Sequence, residues 1–185
     1  GSPRKNGNTT CLLDTVLEEL NNEGIETEMI QVGGQPLRGC TACCWCRTNS
    51  DQRRCVRDDD MLNDCVEKMI AADGIIIIGS PTYFSNVSAE IKALIDRAGF
   101  VTRPESLLRR KVGAAVVAVR RAGAIHAFNS INHFFLINQM IIAGSSYWNL
   151  GMGMAEGDVQ QDQEGIGTMK TLGENMGWLL KRIND

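Results

Sequence analysis

Gly-Ile-Ile-Ile-Ile-Gly-Ser-Pro-Thr-Tyr-Phe-Ser-Asn-Val-Ser-Ala-Glu-Ile-Lys-Ala-Leu-Ile-Asp-Arg, residues 74–97, joins a strand pattern directly to a helix pattern. The four isoleucines are too apolar for a half-exposed strand and too short and β-branched a run for a helix, which predicts a buried central parallel strand. Ser85 is the expected N-cap of the helix that follows. Its apolar residues recur at helical spacing at Val87, Ile91, Leu94 and Ile95. In open α/β sheets ligands bind beyond the carboxyl ends of the strands, so residues 81–86 are expected to reach a ligand.

The rest of the chain alternates strand and helix patterns. Further strands are predicted at residues 25–32, 111–120 and 146–150. Helices are predicted around residues 12–20, 61–70, 124–143 and 172–183. This alternation is typical of an α/β, doubly wound parallel sheet with helices on both faces, and the flavodoxin-like strand order 2-1-3-4-5 is expected.

A strand should precede the loop that opens the chain, yet nothing precedes Gly1. In the order 2-1-3-4-5 the first strand lies between the second and the third, so its absence would split the sheet. The expectation is that the first strand is missing from this chain and that the natural protein begins roughly 6 to 10 residues earlier.

Size and charge restrict the class of protein. A chain of 185 residues with 43% hydrophobic content and no internal repeat predicts a single domain, residues 1–185. The net charge of −3 gives no global reason to bind nucleic acid or an anionic membrane. No apolar run has the length of a membrane span and no signal peptide opens the chain, so a cytoplasmic protein is expected. The predicted helix 124–143 is apolar on more than one face, which indicates either an oligomer interface or a helix deep in a monomeric core.

Residues 1–10, Gly-Ser-Pro-Arg-Lys-Asn-Gly-Asn-Thr-Thr, form a polar loop that runs into the first helix. Backbone N–H groups, the positive end of the helix dipole and the side chains together make an anion cradle that a phosphate monoester fits. The side chains concerned are Ser2, Arg4, Asn8 and Thr9. The alternative is an ordinary capped helix behind an expression remnant. The Walker pattern is absent, which argues against a nucleotide triphosphatase.

The sharpest chemical signal is the cysteine segment, residues 38–57. The segment is a cysteine-rich insertion in which the thiols of Cys40, Cys43 and Cys46 are followed, after eight residues, by Cys55. Such a three-plus-one arrangement supplies the four sulfurs of a cubane iron-sulfur cluster. A zinc site usually separates two close pairs by a longer spacer, and the absence of any metal is the third alternative.

Arginines surround these cysteines, at positions 38, 47, 53, 54 and 57. One interpretation is a docking patch that binds an acidic electron carrier or the phosphate of a nicotinamide cofactor. The alternative is a solvated loop whose charge is balanced by Asp51 and by the aspartates at 58–60. Later in the chain, residues 151–157 are wrongly spaced for a dinucleotide fingerprint. Asp158 and Asp162 are predicted to form turns.

With these pieces assembled, the chain resembles the NADPH-dependent FMN reductase-like flavoproteins and, within them, the iron-sulfur flavoprotein group. Residues 1–9 look like the family's FMN phosphate loop, and residues 81–88 look like its isoalloxazine loop. We call residues 1–9 the phosphate loop, residues 81–86 the ring loop and residues 120–123 the third loop.

The resemblance implies a set of cofactor contacts. In the phosphate loop, the phosphate would be held by Ser2, Arg4, Asn6, Asn8 and Thr9. In the ring loop, the residues against the flavin would be Pro81, Thr82, Tyr83, Phe84 and Ser85. The third loop would contribute Arg120, Arg121 and Gly123. The cluster ligands would be Cys40, Cys43, Cys46 and Cys55.

The function that the resemblance implies is an FMN-dependent oxidoreductase with a [4Fe-4S] cluster. It would pass electrons between a carrier, ferredoxin or NAD(P)H, and an acceptor, and it would assemble as a homodimer or homotetramer. No side-chain acid or base is expected, because the flavin carries the chemistry. Two alternatives stay open, namely a cluster-free NAD(P)H-dependent FMN or quinone reductase and a zinc-stapled, non-catalytic interaction module.

Overall fold

The computed structural model describes residues 1–184, and for Ile75, Ile76 and Asn184 the backbone alone. The helices are α1 (Asn8–Asn22), α2 (Trp45–Thr48), α3 (Leu62–Ala71), α4 (Ala89–Thr102), α5 (Ala124–Ile137) and α6 (Gln163–Asn184), with 3₁₀ turns at Ser50–Gln52 and Asp158–Gln161. The strands are β1 (Ile75–Pro81), β2 (Val112–Val119), β3 (Ile141–Ile142) and β4 (Leu150–Met152).

The sheet is parallel and is centred on β2. Strand β1 pairs with β2 in register from Ile75 opposite Val112 to Pro81 opposite Ala118. On its other edge β2 pairs with β3 near its start and with β4 near its end, so two short strands share one side of the sheet. All eight residues of β2 are buried, as a strand covered by helices on both faces requires.

Two apolar clusters lie on opposite faces of the sheet. One joins β2 to side chains of α3, α4 and α5, including Val66, Leu94 and Phe135. The other joins β2 to α1 and α6, including Leu12 and Met176. The prediction of a doubly wound α/β fold is therefore confirmed.

The prediction of a strand at residues 25–32 is wrong. These residues have no ladder partner within residues 1–184, and Met29 and Ile30 are exposed. In the flavodoxin-like order this segment would pair only with a strand between it and β1. The start of the phosphate loop lies there instead, since the Gly1 nitrogen donates to Gly79 O (2.8 Å) and Gln31 Nε2 donates to Ser2 O (2.8 Å). The strand order on this side of β1 stays a prediction.

The helix predicted over residues 124–143 ends at Ile137. Asn138 is buried and stops the helix, because its Nδ2 donates to Phe134 O (2.8 Å) and its Oδ1 accepts from Thr102 Oγ1 (2.7 Å). Gln139 then takes a positive φ of 59°, which turns the chain into β3.

Three further boundaries differ from the predictions. In place of the strand predicted at residues 146–150, residues 146–149 form a turn, and strand pairing begins only at Leu150 in β4. In this turn the Ser145 hydroxyl lies within hydrogen-bond distance of Tyr147 O and of Asn149 Oδ1 (2.6 Å). The last helix begins at Gln163, before the predicted start. The N-cap of α4 is Ser88 rather than Ser85, since Ser88 Oγ accepts from Ile91 N (3.4 Å).

No helix within the described residues is both long enough and apolar enough to cross a lipid bilayer.

Candidate functional site

The three predicted cofactor loops meet at the carboxyl ends of β1 and β2. The phosphate loop is attached to the end of β1 through Gly1 and Gly79. The ring loop is attached to β2 by the hydrogen bond from Thr82 N to Ala118 O (2.9 Å). The third loop touches the ring loop where Gly123 packs against Ser85. All three loops therefore lie at the carboxyl ends of the strands, where ligands bind in open α/β sheets.

The phosphate loop ends in a helix N-terminus without a side-chain cap. Gly7 is the N-cap of α1 and supplies no side-chain acceptor for the first-turn N–H groups. Ser2 is buried, and its Oγ accepts from Arg4 N (3.2 Å). Open N–H groups at the positive end of a helix dipole attract an anion, so this geometry fits a phosphate.

A fourth segment, residues 153–158, packs on the phosphate loop and was missed by sequence reasoning. Arg4 Nη1 donates to Met154 O (3.1 Å), and Asn8 Nδ2 donates to Ala155 O (2.8 Å). Asn8 Oδ1 in turn accepts from Val159 N (3.3 Å). The signal was the glycine content of residues 151–157, because a Cβ on Gly153 would lie 2.7 Å from Asn8 Nδ2.

This contact changes the role expected of Asn8. One polar atom of its buried side chain bonds to Ala155 of the fourth segment and the other to Val159, the residue that follows the segment, so Asn8 braces two loops. Thr9 is also buried, and its methyl group faces Gly79 at the end of β1. Asn6 is exposed beside them on the solvent side of the loop.

The ring loop is a tight two-residue hairpin. Tyr83 and Asn86 exchange both backbone hydrogen bonds at 2.9 Å, and the two residues between them, Phe84 and Ser85, have φ values of 47° and 61°. Two consecutive positive φ values define a type I′ turn, which non-glycine residues enter at a cost. Phe84 is fully exposed at the tip. The Phe84 side chain therefore lies away from the other loops, whereas it was expected to lie against the flavin ring.

Thr82 provides the clearest sign of a ligand in the ring loop. Its Oγ1 is buried without a hydrogen-bond partner within the described residues. Buried hydroxyl groups are normally paired, so an unpaired one at a loop junction fits a polar edge of a bound molecule. Pro81 and Thr82 are both half-buried at this junction.

The third loop is held close to the ring loop by a glycine. Gly123 has a φ of 85°, and a Cβ there would collide with Ser85 Oγ. Arg120 and Arg121 are exposed just beyond β2, where they supply positive charge to the same edge of the sheet.

The cysteine segment encloses a cavity of about 300 Å³. Its lining includes five thiols, those of Cys40, Cys43, Cys44, Cys46 and Cys55. Three of them, at positions 40, 43 and 44, are exposed, whereas those at 46 and 55 are half-buried against the apolar core. The four thiols predicted as ligands therefore share one cavity.

Burial and the neighbouring thiols act together on the pKa of Cys46. Burial raises the pKa of the Cys46 thiol, and the neighbouring thiols of Cys55, Cys40 and Cys43 raise it further. Each thiolate disfavours charge on the next, and a cationic centre between them reverses that effect because it stabilises every thiolate.

No group of three or more ligand side chains within the described residues converges on the position of a single ion. A structural zinc ion needs four ligands at about 2.0–2.3 Å from one point. Thiols spread around a cavity suit a cluster of several metal atoms better, and Ala42 N also donates to Cys40 Sγ (3.4 Å). Backbone donors to sulfur are among the groups that tune iron-sulfur clusters.

Three of the five arginines of the cysteine segment are paired with the following aspartates. Arg54 pairs with Asp58 (2.6 Å), and Arg38 and Arg57 both face Asp59 at 3.6 and 3.8 Å. These pairs are solvent-exposed and contribute little stability. The prediction of a charge-balanced loop is confirmed for them.

The predicted turns at Asp158 and Asp162 are also confirmed, because each carboxylate accepts backbone N–H groups nearby.

Comparison with known proteins relates the sequence to one family and the structure to one fold. The sequence model of the family described as NADPH-dependent FMN reductase matches residues 1–155. An iron-sulfur flavoprotein of Methanocaldococcus jannaschii is 39% identical over 99% of this chain and 95% of its own length. The iron-sulfur flavoprotein of Methanosarcina thermophila is 35% identical over 99% of this chain and 93% of its own length. The structure of a flavodoxin, WrbA-like protein from Agrobacterium tumefaciens superimposes with a TM-score of 0.62 at 14% identity, over 95% of this chain and 90% of that one.

Proposed function

Because this chain belongs to the NADPH-dependent FMN reductase family and to its iron-sulfur flavoprotein group, we propose that it is an FMN-dependent oxidoreductase that also carries a [4Fe-4S] cluster. It would pass electrons between a carrier and an acceptor. The observation that carries the flavin part is the convergence of the three loops on one edge of the sheet, with an uncapped helix N-terminus and the unpaired Thr82 hydroxyl.

The protein groups have distinct roles in this proposal. The N–H groups at the start of α1, with Ser2 and Arg4, hold the phosphate, and Asn8 and Thr9 fix the loop that presents them. The ring loop and Gly123 hold the polar edge of the isoalloxazine. Bound FMN supplies hydride and single-electron chemistry, so the chain needs only to bind, orient and shield it.

The observation that carries the cluster is the shared cavity of Cys40, Cys43, Cys46 and Cys55. Four thiolates are the ligand set of a [4Fe-4S] cluster, which exchanges one electron at a time. Cys44 lines the same cavity and is left as a free thiol. A cluster beside a flavin links two-electron donors to one-electron carriers.

The donor is a reduced ferredoxin or NAD(P)H, and the exposed arginines of the cysteine segment are suited to attract an acidic carrier. Arg47 and Arg53 are exposed on this surface. Association through such charges depends on ionic strength, so the rate of reduction by ferredoxin is expected to fall as salt is added. NADPH and NADH are the comparison donors in the same anaerobic assay.

The deciding experiment compares two neighbouring substitutions after anaerobic reconstitution. Cys43→Ser is expected to keep FMN and lose the cluster together with one-electron transfer. Cys44→Ser, the matched control, is expected to keep both, with about four irons and four labile sulfides per chain. Absorption, iron, sulfide and flavin content are measured on each preparation.

Other results would identify the alternatives. Wild-type protein that binds FMN and oxidises NAD(P)H without taking up iron would be the cluster-free reductase. A colourless protein that takes up zinc instead would be the interaction module and would overturn the flavin assignment.

We also propose that the chain forms a homodimer or homotetramer through α5. Ile125 and Leu136 are eleven residues apart, about three helical turns, and both are exposed. Asn132 lies between them on the same face, and its Oδ1 is buried without a partner within the described residues. The proposal rests on these two exposed apolar side chains on one face of a surface helix, which assembly would remove from water.

A further inference from the structure

A buried ion pair lies beneath the cysteine segment and belongs to the elements around it. Arg97, in the third turn of α4, is 2% exposed. Its Nη1 lies 2.5 Å from Oδ2 of Asp60, two residues before the start of α3, and both side chains are 1% exposed. Burying two charges is costly and often adds no net stability, so stability alone does not account for this pair.

The pair bonds to backbone at both ends of the cysteine segment. Arg97 Nη1 donates to Arg38 O (3.1 Å), two residues before Cys40. Its Nη2 donates to Arg57 O (3.2 Å), two residues after Cys55. Asp60 Oδ2 accepts from Arg38 N (3.1 Å). One guanidinium and one carboxylate thus tie together the two ends of the loop that carries the thiols.

A second side chain fixes Cys55 itself. Asn63 of α3 accepts from Cys55 N through Oδ1 (2.9 Å) and donates to Cys55 O through Nδ2 (3.1 Å). Arg97 lines the same cavity as Cys55, and the Cys55 thiol is close enough to interact with the guanidinium. The most distant of the four cysteines in sequence is therefore fixed through its backbone by α3.

The segment between the two ends has little order of its own. It contains one four-residue helix and one 3₁₀ turn, neither with a buried residue, and its backbone is left-handed at Ala42, Cys44 and Arg53. A loop with few buried side chains opens readily. Its shape therefore depends on how its ends are held.

We propose that Arg97 and Asp60 form a clasp that closes the cysteine segment and positions Cys55 opposite Cys40, Cys43 and Cys46. Arginine is required at position 97 because its planar fork reaches two carbonyls and a carboxylate at once, which a lysine ammonium does not. Arg97 is a positioning residue for the cluster, and this role rests on the proposed function.

The test uses substitutions of Arg97 and Asp60 that leave neither a buried cation nor a buried carboxylate without its partner. The double substitution Arg97→Met/Asp60→Leu exchanges a buried pair for apolar side chains, a change that often preserves stability. Arg97→Lys keeps the charge and removes the fork. Lys68→Met, which breaks an exposed pair with Glu28, is the control.

Each protein is reconstituted anaerobically with iron and sulfide, and its FMN content, iron content, electron paramagnetic resonance spectrum and midpoint potential are measured. Both variants of the clasp are expected to bind FMN normally. They should lose cluster occupancy about tenfold, as the loss of a hydrogen bond to a charged group implies, and any remaining cluster should have an altered spectrum and potential. Full occupancy with the wild-type spectrum and potential in the double variant or in Arg97→Lys overturns the proposal.

A second measurement needs no cluster and separates this proposal from the proposed function. Metal-free protein is treated with diamide, which oxidises two thiols to one disulfide, and the disulfides that join Cys55 to another cavity thiol are mapped by mass spectrometry. The rate at which these Cys55 disulfides form should fall about tenfold in both clasp variants and stay unchanged in Lys68→Met. If the wild-type protein takes up no iron, the proposed function fails, but the rate of disulfide formation still tests the clasp. A wild-type rate of disulfide formation in the clasp variants refutes the clasp.

Discussion

Gly123 in the third loop is a position where a side chain does not fit. Its positive φ of 85° strains any other residue, and a Cβ would also collide with Ser85 Oγ of the ring loop. Gly123→Ala is therefore expected to destabilise the fold by about 1–3 kcal/mol and to weaken FMN binding at least about tenfold. Urea denaturation of the apoprotein and flavin titration by fluorescence measure the two effects.

Gly24 provides the matched control for Gly123. It has a similar φ of 79°, but nothing lies within 4 Å of the position of a Cβ. Gly24→Ala should therefore lose stability and bind FMN as wild type does. Equal flavin affinities in the two variants would mean that the contact of Gly123 with Ser85 is irrelevant to the site.

Cys65 tests the distinction between core and cavity thiols. Burial, and then the charges of Asp64 and Asp60, raise the pKa of Cys65 to about 11. The thiolate is the reactive form, so at pH 8 Cys65 should react with iodoacetamide on the order of 10²-fold more slowly than an unperturbed cysteine. Its rate should rise with pH until about 11, whereas Cys40 and Cys43 are exposed and react early. Mass spectrometry of the labelled metal-free protein gives the rates, and early labelling of Cys65 would contradict its burial.

At the scale of elements, the contact between α1 and α6 depends on a glycine. A Cβ on Gly173 would lie 2.6 Å from Glu19 Cβ and 2.9 Å from Val16 O. Gly173→Ala should therefore force the helices apart and cost about 1–3 kcal/mol of unfolding free energy. The midpoint of urea denaturation reports the loss.

The same helix contains the control. Gly167 of α6 has nothing within 4 Å of a Cβ position. Gly167→Ala should stabilise the protein by up to about 1 kcal/mol, because alanine favours the helix. A stabilising Gly173→Ala would show that the two helices have room to separate without loss.

Elements with strong local patterns could be predicted from the sequence, and those that depend on a distant partner could not. The tetra-isoleucine strand and α4 carry their own periodicity, and both were predicted within a few residues. Residues 25–32 have a strand pattern but no ladder partner within residues 1–184, and a strand forms only where another strand pairs with it. The end of α5 was missed because Asn138 stops it through a bond to Thr102, 36 residues away.

The site was predictable to a similar extent. Residue types predicted the phosphate loop and the four cluster ligands, since both motifs are local, and the four thiols do line one cavity. The fourth segment at residues 153–158 and the Arg97–Asp60 pair escaped prediction, because each acts through contacts with residues remote in sequence.

At the scale of the whole molecule, the exposed apolar side chains of Ile125 and Leu136 on α5 predict association. Leu136 is 60% exposed, and charge placed there would be buried on assembly. Leu136→Glu should therefore dissociate the oligomer, since a buried unpaired charge is costly. Light scattering after gel filtration measures the mass.

Ile183 on α6 serves as the comparison site, because it is also exposed and apolar but lies on another helix. Ile183→Glu should leave the mass unchanged. A monomeric wild type at micromolar concentration would remove the basis for an α5 interface.

The openness of the thiol cavity also determines how the protein survives handling in air. Cys40, Cys43 and Cys44 face solvent within one cavity, so dissolved peroxide reaches them before the sulfurs of the core. A sulfenic acid formed on one of them is captured by its neighbour as a disulfide, which a reductant reverses, whereas sulfinic acid is permanent. If the protein carries the proposed FMN and cluster, storage in air should turn it from brown to yellow. Only fresh material should then regain the cluster when dithiothreitol, iron and sulfide are added under anaerobic conditions.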